Sequence, residues 1–481
     1  MLKAINKKLF PLLVLILLFL SLSVSAAEQL KLDTVLQRID QHYPSLQIAA
    51  RQVERARQDV IVAQSQLGWN LSAQAGYNHG LGTFNTVTDT MNYGVSVNKQ
   101  LESGSTFSVG TNLSDQNIDE ATLDPGLANF IANPQQTMDV ELSYRMPFAK
   151  GADNPAYQLA INNSRAGVMM SQASERSLRD QMANQVIQLY YGAAQAQAGL
   201  NSAADGVHRA EALVEYVKNN MRLGLAEEKD LLQFDAQLRI ARVALKNAKL
   251  QWNTQRTSLN RLMGTPWDQD FDIVVDTTAR AGALAYEQLL KEAQDYSPVL
   301  LRHQAEMMMA EAALTKARND KQSQFDIVAS IGNTSVSGTY PTSTFSESGN
   351  TYGLRFEYSR ALDGSGFDAK LYQAQIDKGI AQQNIQQATQ DLQYNLNSLV
   401  TEIHESSQSL ELTRQRLDVE RKRFADVKQR YKSGRVDNSQ LIMAEGDLSQ
   451  GELSLKQTQI DLAMRQAQLD AMRGTLWQST H

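Results

Sequence analysis

The chain contains no cysteine in 481 residues. That one absence excludes disulfide staples, zinc thiolates and a thiol nucleophile. Histidine is almost as scarce, and the six, at His42, His79, His208, His303, His404 and His481, show no metal-ligand spacing. No serine or carboxylate motif has the surroundings of a catalytic site, so neither an enzyme nor a cofactor is expected. Basic stripes are missing too: 46 Lys and Arg against 52 Asp and Glu leave a net charge of −6, spread along the chain, and nucleic acid is not an expected partner. After Val24 no apolar run reaches the ~18 residues of a membrane-spanning helix. A chain of this kind crosses a membrane as strands or not at all.

What is present begins with a targeting segment. Lys3, Lys7 and Lys8 precede an apolar run from Leu9 to Val24, and Val24-Ser25-Ala26 offers small residues before a cut ahead of Ala27. Residues 1–26 therefore read as a secretory signal peptide. With no cysteine behind it, an N-terminal lipid anchor is not expected.

The rest is organised around a turn, Met221 to Asp230, that separates two long apolar-periodic segments. After it, Leu231, Phe234, Leu238, Ala241, Leu245, Ala248, Trp252, Leu259 and Leu262 follow steps of three and four, broken only at Gln255. That heptad seam predicts a left-handed pairing with a partner helix. A second turn, Tyr431 to Asp437, is followed by Leu441, Ala444, Leu448, Leu455, Leu462 and Leu469. Gly434 lies 210 residues after Gly224, and Gly474-Thr475 lies 210 after Gly264-Thr265. An earlier stretch repeats at a spacing of 254, with Leu36, Pro44, Leu46 and Ala56 matching Leu290, Pro298, Leu300 and Ala310. The whole chain is duplicated, and the first half carries 44 residues more than the second, the difference of 254 and 210.

The extra residues fall where the period changes to two. Met138, Val140, Leu142, Tyr144, Met146 and Phe148 alternate with Asp139, Glu141, Ser143 and Arg145. Leu71 to Tyr77, Tyr93 to Val97 and Phe107-Val109 alternate likewise, with a tight turn at Glu102-Ser103-Gly104; the second half shows two such runs, from Phe325 and from Tyr352. Six strands are expected, with long surface loops over Asp115 to Gln136 and Gly338 to Asn350. The domain order is a signal peptide over 1–26, a helix over 27–69, strands and loops over 70–148 and a helical hairpin over 153–264. An irregular linker over 265–283, a helix over 284–323, strands over 324–360, a second hairpin over 365–474 and a tail over 475–481 complete it.

This order resembles the TolC-type outer-membrane efflux family over nearly the whole mature chain. The carrying motifs are the helix starts at Pro44 and Pro298, Met146-Pro147-Phe148 closing a strand, Arg222-Leu223-Gly224-Leu225-Ala226 with Asp230 beyond, and Tyr431 three before Gly434. The resemblance implies an α+β membrane protein: a homotrimer whose strands form one outer-membrane β-barrel, continued by a long periplasmic α-helical barrel. Trimerisation has a physical argument of its own, because six strands cannot enclose a usable lumen and open edges are not tolerated in lipid. The resemblance further implies a passive exit duct for drugs or polypeptides, serving a tripartite efflux or type I secretion system. Its partners would be outer-membrane lipid, a periplasmic adaptor (membrane fusion) protein and an inner-membrane transporter.

By the same resemblance the adaptor meets Arg222, Gly224, Leu225, Ala226, Gly434, Arg435 and Val436, while Asp230, Tyr431, Asp437, Gln440 and Met443 surround the pore entrance. The chain departs from the family there. Well-known members carry two aspartates at the places of Gln440 and Met443, and an arginine at that of Val436, where this chain has Arg435 one position short. Each feature also has an ordinary structural reading: Gly224 and Gly434 stop helices, Asp230 and Asp437 cap them, and Met307, Met308 and Met309 pack around a helix. The alternative to a duct is a secreted coiled-coil scaffold, which has no use for strands with an apolar face.

Overall fold

The structure is a computed structural model that describes residues 28–82, 86–124, 126–224, 226–276 and 285–477. The expected signal peptide, Pro125 of the first loop, Leu225 of the first tip, part of the inter-repeat linker and His481 lie outside the described residues. The chain forms two compact units, one comprising the described residues of Met1–Gln47, Arg176–Ser297 and Gln390–His481, the other Ile48–Glu175 and Pro298–Thr389.

The second unit is built on one antiparallel sheet. Its strands are β2 (Trp69–Leu81), β3 (Val87–Gln100), β4 (Thr106–Ile118), β5 (Gln135–Pro147), β7 (Gln324–Tyr340) and β8 (Ser343–Ser359), in that spatial order. Register puts Leu71, Val97, Val109, Leu142, Ile331 and Tyr352 in one row across all six strands. The adjacent row on the opposite face reads Ser72, Ser96, Gly110, Glu141, Gly332 and Thr351. Period-two alternation thus gives one apolar face and one polar face. The apolar face stays open, with Leu71 69% and Tyr352 75% exposed.

Two expected loops are shorter than their composition suggests. The loop over Gly338 to Asn350 is strand, because β7 and β8 continue in register to Tyr340 and Ser343 and only Pro341-Thr342 turn. Beyond Ile331 and Tyr352 the strands are mostly Asn, Ser, Thr and Gly, with Val336, Tyr340 and Phe345 too few to mark a hydrophobic alternation. The Asp115 to Gln136 loop likewise loses its ends to β4 and β5, and Asn133 extends the pairing by donating to Ile118 O and accepting from Ile118 N, both at 2.8 Å.

The expected single helix over 27–69 is three elements: β1 (Glu28–Leu30), α1 (Leu32–His42) and α2 (Pro44–Ser65). Proline forces the residue before it out of helical geometry, and Tyr43 sits at ψ 109°. The second copy divides in the same way, into α5 (Tyr286–Tyr296) and α6 (Pro298–Asp320). Nor is the linker wholly irregular, since β6 (Phe271–Ile273) pairs in parallel with β1. The fully buried Asn260 shapes its start, donating to Gln269 O at 2.9 Å and accepting from Thr265 Oγ1 at 2.9 Å.

Helices of 68 residues follow each set of strands: α3 (Pro155–Arg222) and α7 (Ser365–Lys432). At 1.5 Å per residue each runs roughly 100 Å. Asn154 caps α3, its Oδ1 accepting from Tyr157 N at 3.2 Å, and Pro155 takes the first helical position. The return helices are α4 (Glu228–Met263) and α8 (Asn438–Met472). In the first unit the main core joins Leu30, Leu36 and Ile39 to Val186, Ile187 and Tyr190 of α3, to Leu259 of α4 and to Ala467 of α8. Burying each large aliphatic side chain there contributes about 1.5–3 kcal/mol.

At the edge of this core Tyr296 lies so close to Gly474 that a Cβ added there would sit 2.1 Å from its ring. Its hydroxyl donates to Asp180 Oδ1 at 2.7 Å, and Arg176 donates to the carbonyls of Asp295 (3.1 Å) and Tyr296 (2.8 Å). Burial pushes the Asp180 carboxyl up to about 6, against the Tyr296 hydrogen bond and the Arg176 charge, which pull it down.

Two predictions follow from this packing. A carboxyl raised in the folded chain is still protonated there where the unfolded chain has lost its proton, so stability from this group falls as pH rises from ~4 to ~6. In chemical denaturation, the difference in midpoint between Asp180→Asn and the parent protein should shift in favour of the variant between pH 4 and pH 7; a pH-independent difference would contradict the placement. In the β3–β4 turn Gly104 has φ +83°, and a Cβ would lie 2.0 Å from Gly151 O. Gly104→Ala should cost at least ~1–3 kcal/mol, read as a lowered unfolding midpoint.

Candidate functional site: the paired hairpin tips

Both hairpins turn in the same way. At the second tip Gly434 has φ +69°, its N–H donates to Tyr431 O at 3.0 Å, and Arg435 N donates to Arg430 O at 2.9 Å. This pair of bonds closes a helix C-terminus and requires a left-handed residue at the glycine. At the first tip Gly224 has φ +73° and donates to Met221 O at 3.0 Å. Among the described residues, chain neighbours aside, no atom lies within 4 Å of a Cβ built at either glycine, so backbone sign and not space selects the residue.

Each return helix then starts on a carboxylate. Glu227 precedes α4 and shares a capping box with Asp230, whose Oδ2 accepts from Glu227 N at 3.0 Å. Its counterpart 210 residues on, Asp437, accepts from Gln440 N at 2.9 Å. Both acids stabilise the positive end of a helix and satisfy donors that have no partner within it.

The two tips are tied together by a residue that the sequence did not single out. Asn438 donates from Nδ2 to Asp230 Oδ1 at 2.8 Å and accepts at Oδ1 from the Tyr431 hydroxyl at 2.9 Å. The only signal available was a break in the repeat, since the position 210 residues earlier holds Glu228. Under this bridge the Tyr431 ring meets Tyr216 and Phe234 at centroid distances of 6.0 and 6.4 Å. Burial, then the neighbouring Tyr216 and Asp230, push the Tyr431 hydroxyl pKa up, so it remains a donor. Val214, Val217, Phe234, Leu238 and Leu441 close the core below. Arg209 clamps α3 to α8 through Glu445 Oε1 at 2.5 Å and Ser449 Oγ at 2.9 Å.

The structure thus gathers Asp230 and Tyr431 into one network and places Asp437 and Gln440 together at a helix start. Met443 stands apart from them, 63% exposed on the face of α8 opposite Leu441, Ala444 and Leu448. Arg222, Gly224, Gly434 and Arg435 are exposed, and Ala226 and Val436 are half-buried. Leu225 is outside the described residues.

Residues 289–475, from α5 to the end of the second hairpin, match the model of the outer membrane efflux protein family. Over that stretch the chain is similar to outer membrane efflux proteins. No helix among the described residues is long and apolar enough to cross a membrane. Solved structures share the fold. The outer-membrane channel OprN superposes with a TM-score of 0.60 at 14% identity, over 93% of this chain and 90% of that one. VceC from Vibrio cholerae gives 0.59 at 13%, over 93% and 96%. MtrE from Neisseria gonorrhoeae, in an open state, gives 0.57 at 16%, over 94% and 90%. No curated protein sequence matches the chain.

Removing the bridge should loosen the tips without unfolding the protein. Asn438→Ala leaves Asp230 and the Tyr431 hydroxyl with one partner fewer, a loss of about 1 kcal/mol. Amide hydrogen exchange over 226–231 and 433–440 should speed up roughly five-fold, while exchange around Tyr190 stays as in the parent.

Proposed function

We propose that the chain is the outer-membrane exit duct of a tripartite efflux or type I secretion system, a passive channel through which drugs or polypeptides leave the cell. The observation that carries this reading is the sheet: six strands with one open apolar face and two unpaired edges, β2 and β8. Backbone groups left unpaired in lipid cost several kcal/mol each, so the edges need partners. Joining β8 of one copy to β2 of the next satisfies them, and three copies close a barrel of about 18 strands. The apolar rows then meet lipid and the polar rows line the lumen.

In this reading α3, α4, α7 and α8 extend into the periplasm and the tips face the inner membrane. Arg222, Gly224, Leu225, Ala226, Gly434, Arg435 and Val436 form the surface that a periplasmic adaptor grips, and an inner-membrane transporter supplies the energy. Asp230, Tyr431, Asp437, Gln440 and Met443 surround the entrance. MtrE, named as an outer membrane channel in an open state, supports an entrance that opens.

Purified mature protein is expected to run as a trimer in detergent and to conduct ions in planar bilayers. Gly434→Pro, which cannot adopt φ +69°, should abolish export from cells while leaving trimers in the outer membrane. A monodisperse monomer, or verified trimers without conductance, would overturn the reading.

A further inference from the structure

The polar face of the sheet is not evenly charged. On β2, β3 and β4 every residue of that face is uncharged, for example Asn70, Ser72 and Gln74 on β2 and Asn92, Ser96 and Asn98 on β3. All its charges stand on β5, β7 and β8: the acids Asp139, Glu141, Asp326, Glu347 and Glu357, and the bases Arg145 and Arg355. Five acids against two arginines leave a net of −3 per chain on this face. The arginines are already committed. Arg145 pairs with Asp326 at 2.5 Å and Glu357 at 3.0 Å, and Arg355 pairs with Glu357 at 2.9 Å.

Glu141 occupies a distinct setting. Its cross-strand neighbours are Gly110 on β4 and Gly332 on β7, so no side chain faces it from either side. It is exposed and has no ion-pair partner among the described residues. Asp139, two residues along on the same face, is flanked by Asn112 and Thr334 and accepts a hydrogen bond from Thr334 Oγ1 at 2.7 Å, with no cation beside it. Of the three carboxylates on this face with no cation beside them among the described residues, Glu347 lies toward the β7–β8 turn, while Asp139 and Glu141 stand together, Glu141 with glycine on both sides.

The tips show the converse. Where the resemblance calls for aspartates there are Gln440 and Met443, Asp437 is held as a cap, and Asp230 is shared between Glu227 N and Asn438. Asp230 and Asp437 are thus drawn into folding contacts.

We propose that Glu141, with Asp139, sets the cation preference of the duct from the barrel wall. This rests on the exit-duct reading, in which the polar face lines the lumen. Three copies place three Glu141 carboxylates at one height, and a ring of carboxylates facing a lumen concentrates cations and repels anions. Charges farther apart than the ~8–10 Å screening length act separately, so the preference weakens as salt rises. The uncharged hydroxyl and amide wall of β2 to β4 leaves that field unopposed.

The test uses the full-length purified protein in planar bilayers across a tenfold KCl gradient. The parent should give a reversal potential on the cation side, and Glu141→Gln should bring the potassium-to-chloride permeability ratio about twofold closer to unity, with the double variant Glu141→Gln/Asp139→Asn closer still. Glu141→Lys should shift the preference toward anions. Unchanged reversal potentials in the double variant, at parental conductance and trimer content, would overturn the assignment. Absence of current from parental trimers would instead overturn the exit-duct reading, and this assignment with it.

Discussion

An unpaired strand edge is the constraint on which the rest of this molecule depends. β2 and β8 each offer one row of backbone donors and acceptors to no strand among the described residues, beside an apolar face that those residues leave exposed. Water would satisfy the first and reject the second; lipid would do the reverse. In the proposed reading a closed ring of strands in lipid meets both demands, which ties the open sheet to the exit duct.

The helices answer a different demand. Turning back a 68-residue helix requires a stop and a restart within a few residues, and the chain uses a left-handed glycine and then a carboxylate cap at both tips. The two turns are repeats of one another, and differences at three matched positions, Glu228 against Asn438, Met221 against Tyr431 and Asp230 against Gln440, supply the bridge between them. Stability and the proposed function meet there, because the acids that the exit-duct reading places at an entrance also hold the helices' ends.

Much of this was legible in the residues. Long helices show themselves by the absence of proline between Pro155 and Arg222, and β5 by the strict alternation from Met138 to Phe148. The outer halves of β7 and β8 were not legible: a strand that is polar on both faces looks like a loop. β6 was hidden because three residues are too short for any period, and what fixes them is distant in sequence: the pairing with Glu28–Leu30 and the bond from Ile273 N to Gln197 Oε1. At the tips the spacing of Asp437 and Gln440 announced a cap, whereas Asn438 announced nothing, since its partners lie on another hairpin.

The hairpin of β7 and β8 carries one more consequence. From Ile331 to Tyr340 it runs on past the last apolar row, roughly 30 Å of paired strand at ~3.3 Å per residue, and it turns at Pro341-Thr342. Its polar surface, rich in serine and threonine, is stiffened by backbone pairing and by the stacked rings of Tyr340 and Phe345, 5.3 Å apart. In a closed barrel that turn would be held out from the lipid like a peg, offering immune recognition a rigid epitope and protein engineering a place where inserted peptides disturb neither strand register nor barrel closure.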